Sequence, residues 1–195
     1  RTSGLVYDRP ANPEAEVARL LNTGRVIGRY SGRLEWGPRA LGNRSILVRP
    51  TDKSINDILN KRLKRTEFMP FAPSILAEAT DEYLVGYREA DIAARYMTTT
   101  YEIRRDKIGS IAAAVHVDGT ARPQVVFAED NAEFHRIITE YQRRSGIPAI
   151  VNTSFNMHEQ PIVSTPDDAI AAFRAGAVDV LSMGPFIVRA ADCWE

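Results

Sequence analysis

Three stretches of this 195-residue sequence concentrate side chains that suit anion binding. The first runs Gly32-Arg33-Leu34-Glu35-Trp36-Gly37-Pro38-Arg39-Ala40-Leu41-Gly42-Asn43-Arg44-Ser45. Glycines let a backbone approach a ligand closely, and arginine forks match phosphate or carboxylate oxygens in pairs. Its spacing fits neither a Walker loop nor the dinucleotide fingerprint. The same composition also suits a surface loop whose arginines are solvated or paired with Glu35, and both readings stay open. The second stretch packs Lys61, Arg62, Lys64 and Arg65 against Thr66-Glu67-Phe68-Met69-Pro70-Phe71-Ala72-Pro73. Cations there can complement a helix C-terminus or form a solvated face. Alternatively, a basic helix end running into a proline-stiffened strand can aim one lysine at a fixed point. The third is Val151-Asn152-Thr153-Ser154-Phe155-Asn156, where an apolar strand ends in small polar residues. Open α/β sheets bind ligands beyond the carboxyl ends of their strands, although Asx or Ser/Thr turns use the same residues. His116 reads as a packing residue, His135 and His158 as exposed, and Cys193 as incidental.

The elements that must position these loops follow from local signals. Asn12 as cap and Pro13 in the first turn start a helix with Val17, Leu20 and Leu21 on its apolar side. Gly24 closes that helix, and residues 25–30 and 45–48 read as short strands flanking the Arg-rich loop. Residues 54–63 have helical spacing, and 70–76 run extended because each proline disfavours helix in its predecessor. Residues 96–103 and 111–117 alternate as strands, the second leading into the turn Asp118-Gly119. Residues 133–144 form an amphipathic helix closed by Gly146, followed by a strand at 148–151. Thr165-Pro166-Asp167-Asp168 opens a helix to about Ala175, and 178–181 and 186–188 finish as strands. Helices and strands mix without a strict βαβ rhythm, which predicts an α/β fold with a mixed twisted sheet flanked by helices. Residues 1–11 read as a linker or edge segment and 12–195 as one domain.

Composition sets the outer bounds. Lys plus Arg and Asp plus Glu number 25 each, so net charge is zero and a general nucleic-acid or membrane-surface role loses its electrostatic basis. No apolar run reaches the roughly 20 residues a bilayer helix needs. One cysteine forms no internal disulfide and suits a reducing, cytoplasmic setting. The absence of an initial Met suggests the tail of something longer, and a homo-oligomer stays open.

Four ordered motifs carry a resemblance that covers nearly the whole chain: residues 32–45, Thr66 to Pro73, Val117-Asp-Gly-Thr-Ala-Arg-Pro-Gln124, and Asn152 to Asn156. Together they resemble the C-terminal, YrdC-like domain of the NodU/CmcH carbamoyltransferases. The resemblance implies a domain that takes carbamoyl phosphate and ATP, with Mg²⁺ as companion of ATP, and makes carbamoyl adenylate. An N-terminal Kae1-like domain, not found in this sequence, would then pass the carbamoyl group to an acceptor hydroxyl. Carried onto this sequence, it implies catalytic roles for Arg39 and Lys64. It implies ligand contacts from Arg33, Arg39, Arg44, Lys64, Arg122, Asn152, Ser154 and Asn156. Many relatives place an arginine where this chain has Met69, so that contact is either missing or comes from Arg62 or Arg65. The choice among Lys61, Arg62, Lys64 and Arg65 stays open. A non-catalytic nucleotide- or anion-binding module, and a threonylcarbamoyl-adenylate synthase acting on tRNA, are the competing readings.

Overall fold

A seven-stranded mixed sheet with helices on both faces forms the body of the protein in the computed structural model, which describes residues 4–64 and 71–193. In chain order the elements begin with α1 (Pro13–Asn22), β1 (Ile27–Tyr30), β2 (Arg44–Val48), α2 (Ile55–Arg62), β3 (Ala72–Leu76) and the one-turn α3 (Thr80–Tyr83). They continue with β4 (Tyr101–Glu102), β5 (Thr120–Ala121), β6 (Gln124–Val126), α4 (Ala132–Ser145), β7 (Ala149–Ser154), α5 (Pro166–Arg174), β8 (Val180–Met183) and β9 (Phe186–Arg189). The sheet order is β6-β3-β7-β2-β1-β8-β9, while β4 and β5 pair separately. Asp8 bridges Ile187, so the N-terminal segment adds a single rung beside β9.

Successive strand residues point to opposite faces, and here both faces are covered. Leu47, Ile150, Val180 and Ile187 join Val17 and Leu21 of α1 and Phe134 and Ile138 of α4 in one core cluster. Ile46, Val48, Val151, Leu181 and Val188 join Leu59 of α2 and Ala169 and Phe173 of α5 in the other. Burial on both sides is why β2 and β7 read as continuous apolar runs. The helices start where the caps direct. Asn12 accepts from the Ala15 amide at 3.0 Å, and Asn131 from Phe134 at 3.1 Å. Thr165 and Asp168 close a reciprocal capping box at the start of α5.

The structure departs from the sequence reading at several points. Residues 111–117, expected as a strand, lie largely in 3-10 turns spanning Ile108–Ala114, broken at Ile111. Ile108, Ile111 and Ala114 recur every third residue, which is the 3-10 period as much as it is a strand's alternation. The strand expected over 96–103 shrinks to Tyr101–Glu102, because a 3-10 segment ends at Tyr96 and Met97 turns left-handed with φ 55°. Strand β6 was not anticipated, and β7 continues through Ser154, past its expected end at Val151. The motif residues Arg65 to Pro70, Met69 among them, lie outside the described residues.

Candidate functional site

One end of the sheet gathers the chemistry. Strand β2 runs antiparallel to both β1 and β7, β3 antiparallel to β7, and β6 parallel to β3. Consequently the carboxyl ends of β1 and β7 and the amino ends of β2, β3 and β6 share one rim. The Arg-rich loop, residues 31–43, crosses that rim from β1 to β2.

The loop is braced from within. Glu35 Oε1 accepts backbone N–H bonds from Leu41 at 2.9 Å, Asn43 at 2.6 Å and Arg44 at 3.2 Å. Among the described residues it pairs with no arginine, so it organises backbone rather than neutralising the loop's cations. Arg44 is 3% exposed, and its guanidinium stacks 3.6 Å from the Tyr30 ring centroid. It donates to the carbonyls of Ser31 at 2.7 Å, Asn43 at 3.1 Å and Gly32 at 3.2 Å. Arg29 likewise donates to the Gly42 carbonyl and to Glu133, and burial pushes its pKa below the usual guanidinium value. Gly42 itself has φ 116°, and a Cβ there would sit 2.5 Å from the Phe134 ring, so only glycine fits.

Beneath the loop lies a buried polar network across three neighbouring strands. Ser74 Oγ donates to Gln124 Oε1 at 2.7 Å, and Asn152 Nδ2 donates to the same oxygen at 3.0 Å. Asn152 Nδ2 also reaches the Ala40 carbonyl at 3.1 Å, while Gln124 Nε2 donates to the Leu41 carbonyl at 2.8 Å. Sheet and loop are therefore stitched together at the two residues that follow Arg39. Buried amides cross-linked this way hold a rigid platform.

Above the platform, Pro38, Arg39, Ala40, Phe71, Ala72, Met97, Arg122 and the β7 residues Asn152, Thr153 and Ser154 surround a pocket of about 90 Å³. Arg39, Arg122, Pro38 and Met97 also wall a second pocket of about 660 Å³, shared with Glu35, Trp36, Leu41, Tyr96 and Thr98. The two arginines thus stand where a small compartment opens into a larger one. Burial, then the charge of Arg39, push the Arg122 guanidinium below its ordinary pKa. Among the described residues its buried Nε has no partner, and no acidic side chain lines the smaller pocket. Two neighbouring cations with no acidic side chain among the described lining of the smaller pocket suit an oxyanion there. Trp36 is fully exposed on the larger compartment, with half-exposed Tyr96 beside it, so aromatic faces stand next to the cations.

Of the residues singled out from sequence, Arg39, Arg122, Asn152 and Ser154 meet in the smaller pocket. Asn156 stands behind them. Its Oδ1 accepts from Ser154 Oγ at 2.6 Å, and its Nδ2 donates to the carbonyls of Met157 and Gln160. Arg44 braces the loop as above, and Arg33 is exposed outside both pockets, offering its carbonyl to Asn43. Lys64 has φ 57° and lines a different pocket with Leu34, Met157 and His158. Arg62 pairs with Asp179 at 2.7 Å, and His116 bonds Thr120. Sequence reasoning missed Ser74, Gln124 and Met97 as site-forming residues. Gln124 closes the motif at 117–124, but nothing local in that motif marks a side chain that crosses strands. Among the described residues no helix is long and apolar enough to cross a membrane, and no His/Cys/Asp/Glu group could hold a metal.

The family described as "Carbamoyltransferase C-terminus" matches residues 18–190. The chain is 39% identical over 189 residues to nodulation protein NolO of Bradyrhizobium diazoefficiens, covering 95% of this chain and 34% of that one. An uncharacterised Methanocaldococcus jannaschii protein is 40% identical over 172 residues, covering 88% of this chain and 33% of that one. Nodulation protein U of Rhizobium tropici is 34% identical over 165 residues, with 84% and 27% covered. The chain therefore spans about a third of the length of these relatives. The crystal structure of full-length HypF in its phosphate- and nucleotide-bound form superposes with a TM-score of 0.58 at 20% identity, covering 91% of this chain and 25% of that one. HypF of T. kodakarensis gives 0.61 at 15% identity, covering 89% and 21%. These two likenesses show the fold.

Proposed function

Because this chain belongs to the carbamoyltransferase C-terminus family, we propose that it binds carbamoyl phosphate and ATP at this rim and forms carbamoyl adenylate. The observation that carries the reading is the Arg39–Arg122 pair, uncompensated by any carboxylate among the described residues of the smaller pocket and set at its junction with a compartment of nucleotide size. The smaller pocket takes the carbamoyl phosphate, and the larger takes the nucleoside beside Trp36 and Tyr96. Guanidiniums at the junction then face the phosphates of both ligands. They offset the repulsion between them and stabilise charge as it shifts to the departing groups. Atom balance requires one water consumed and one phosphate and one pyrophosphate released for each carbamoyl adenylate. Ser154, oriented by Asn156, adds a hydroxyl contact. In this arrangement Lys64 is assigned no step.

Mg²⁺ fits the site as a companion of the nucleotide. Among the described residues Glu35 is the one carboxylate lining the larger pocket, and its Oε2 is buried without a partner. One carboxylate plus phosphate and water oxygens suits this ion. Bound there, Mg²⁺ would supply charge neutralisation on the triphosphate. The adenylate would pass to an N-terminal Kae1-like domain of the same full-length protein, which delivers the carbamoyl group to an acceptor hydroxyl in the cytoplasm. The relatives' greater length supports that partner.

The test is pyrophosphate release from ATP and Mg²⁺, with and without carbamoyl phosphate. Release that depends on carbamoyl phosphate is the expected result. ATP binding with no such dependence, in the full-length protein as well as in this chain, would leave a binding module instead.

A further inference from the structure

Asn152 forms the floor of the smaller pocket and is 1% exposed. Its Nδ2 is committed to the Ala40 carbonyl and Gln124 Oε1, whereas its Oδ1 has no partner among the described residues. Those two acceptors fix the amide orientation, since a flip would set Oδ1 against two other oxygens. A buried acceptor without a donor is unfavourable, and a ligand N–H or O–H relieves it.

The two cations of this pocket ask for the opposite. Arg39 and Arg122 have no acceptor capacity and can serve only oxygens. A ligand that satisfies all three must carry an oxyanion and, within a few atoms, a hydrogen-bond donor. It must also fit about 90 Å³, room for a few waters' worth of atoms and too little for a nucleoside. Inorganic phosphate at neutral pH keeps an O–H only on the anion itself, with no donor set back from it, and an acyl phosphate with a methyl group has no donor. Carbamoyl phosphate has both, with the amino group on the carbon next to the phosphate ester.

We infer that Asn152 determines specificity for the carbamoyl group: its Oδ1 accepts a hydrogen bond from the carbamoyl NH₂ while Arg39 and Arg122 hold the phosphate. This rests on the reading of the pocket as a carbamoyl phosphate site. Acetyl phosphate, close in shape, places a methyl against Oδ1 and leaves the acceptor buried and unmade. A site built around a hydrogen bond discriminates strongly against an analogue that lacks it.

Titration calorimetry of the 195-residue chain with carbamoyl phosphate, acetyl phosphate and inorganic phosphate tests the assignment. Acetyl phosphate should bind about 10-fold or more weakly than carbamoyl phosphate. In Asn152→Ala the ratio should fall to about twofold or less, carbamoyl phosphate being the ligand that loses affinity. If the variant weakens all three ligands alike and the ratio survives, Asn152 only props the loop through Ala40 and the inference is wrong. Should the variant fail to fold, the ratio on the unaltered protein still decides: a value near 1 overturns the role of Asn152 and leaves a phosphate site in place. No binding by any of the three would remove both the inference and the reading beneath it.

Discussion

Arg122→Met separates a site residue from a structural one, because the two roles predict opposite signs in one experiment. In the free protein Arg122 is a half-buried cation whose burial and whose neighbour Arg39 both disfavour its charge. Its Nε hydrogen is unmatched among the described residues. Methionine keeps most of the apolar stem and removes the guanidinium, so the unliganded protein should be unchanged or slightly more stable. Ligand binding should suffer. A hydrogen bond to a charged group contributes about 1.5–3 kcal/mol, and a loss of about 2 kcal/mol corresponds to roughly 30-fold in Kd. At carbamoyl phosphate near 100 times the native Kd, the native protein gains about 2.7 kcal/mol of stability from ligand. At that same concentration the variant gains only about 0.9 kcal/mol. With roughly 2–4 °C per kcal/mol for a domain of this size, the ligand-induced rise in Tm should shrink by about 4–7 °C. Calorimetric melts of both proteins with and without ligand measure this directly. A variant that melts several degrees lower without ligand, yet shows the full ligand-induced rise, would refute the argument and make Arg122 a structural residue.

Three further outcomes are expected. Gly42→Ala forces a Cβ to within 2.5 Å of Phe134 at φ 116°. It should cost about 2–4 kcal/mol in a denaturant melt, more than a glycine-to-alanine change in an ordinary loop. Glu35→Ala strips an acceptor from the amides of Leu41, Asn43 and Arg44, so phosphate affinity should fall about 10-fold through a loosened loop. Glu35→Gln, which keeps an acceptor oxygen, should restore most of that affinity in the same titration. The third concerns pH. Arg19, then Arg189, hold the Glu16 carboxyl down to about 2 against the opposing effect of burial. A depressed folded-state pKa gives stability that is fully present above the usual carboxylate range and disappears as pH falls toward 2. Glu16→Gln should therefore lower Tm at pH 6 and converge with the native protein near pH 2, measured by thermal melts across that range.

How far the site could be read before its geometry was known differs from loop to loop. The Arg-rich loop announced its chemistry through composition, yet composition left Arg33, Arg39 and Arg44 equivalent. Their fates diverge for a tertiary reason. Arg44 opens β2 and turns inward onto Tyr30 and three carbonyls, whereas Arg33 and Arg39 both stay exposed, Arg39 alone lining the pockets, next to the carbonyls gripped by Asn152 and Gln124. The third motif was legible as a strand end, but the strand runs on through Ser154, which is what carries Asn152 into the buried network. Lys64 and Arg39 looked like partners because their motifs belong to one set, whereas the structure gives them separate pockets.

By itself the sequence determined the main helices, through Asn12 and Thr165 as caps, Gly146 as a stop and apolar residues recurring at helical spacing. It determined the mixed α/β class and, through four ordered motifs, the family. These are local or cumulative signals, carried by neighbours in the chain. Only the tertiary structure decided which arginines face each other, because Arg39 and Arg122 are 83 residues apart and meet through the pairing of β3, β6 and β7. It also decided that Ile108–Ala114 would turn rather than extend, since a period of three and a period of two share the same short apolar run. Ser74, Gln124 and Asn152 each look like an ordinary polar residue in its own segment. What makes them a platform is burial at adjacent register positions, and register is a property of strands already paired.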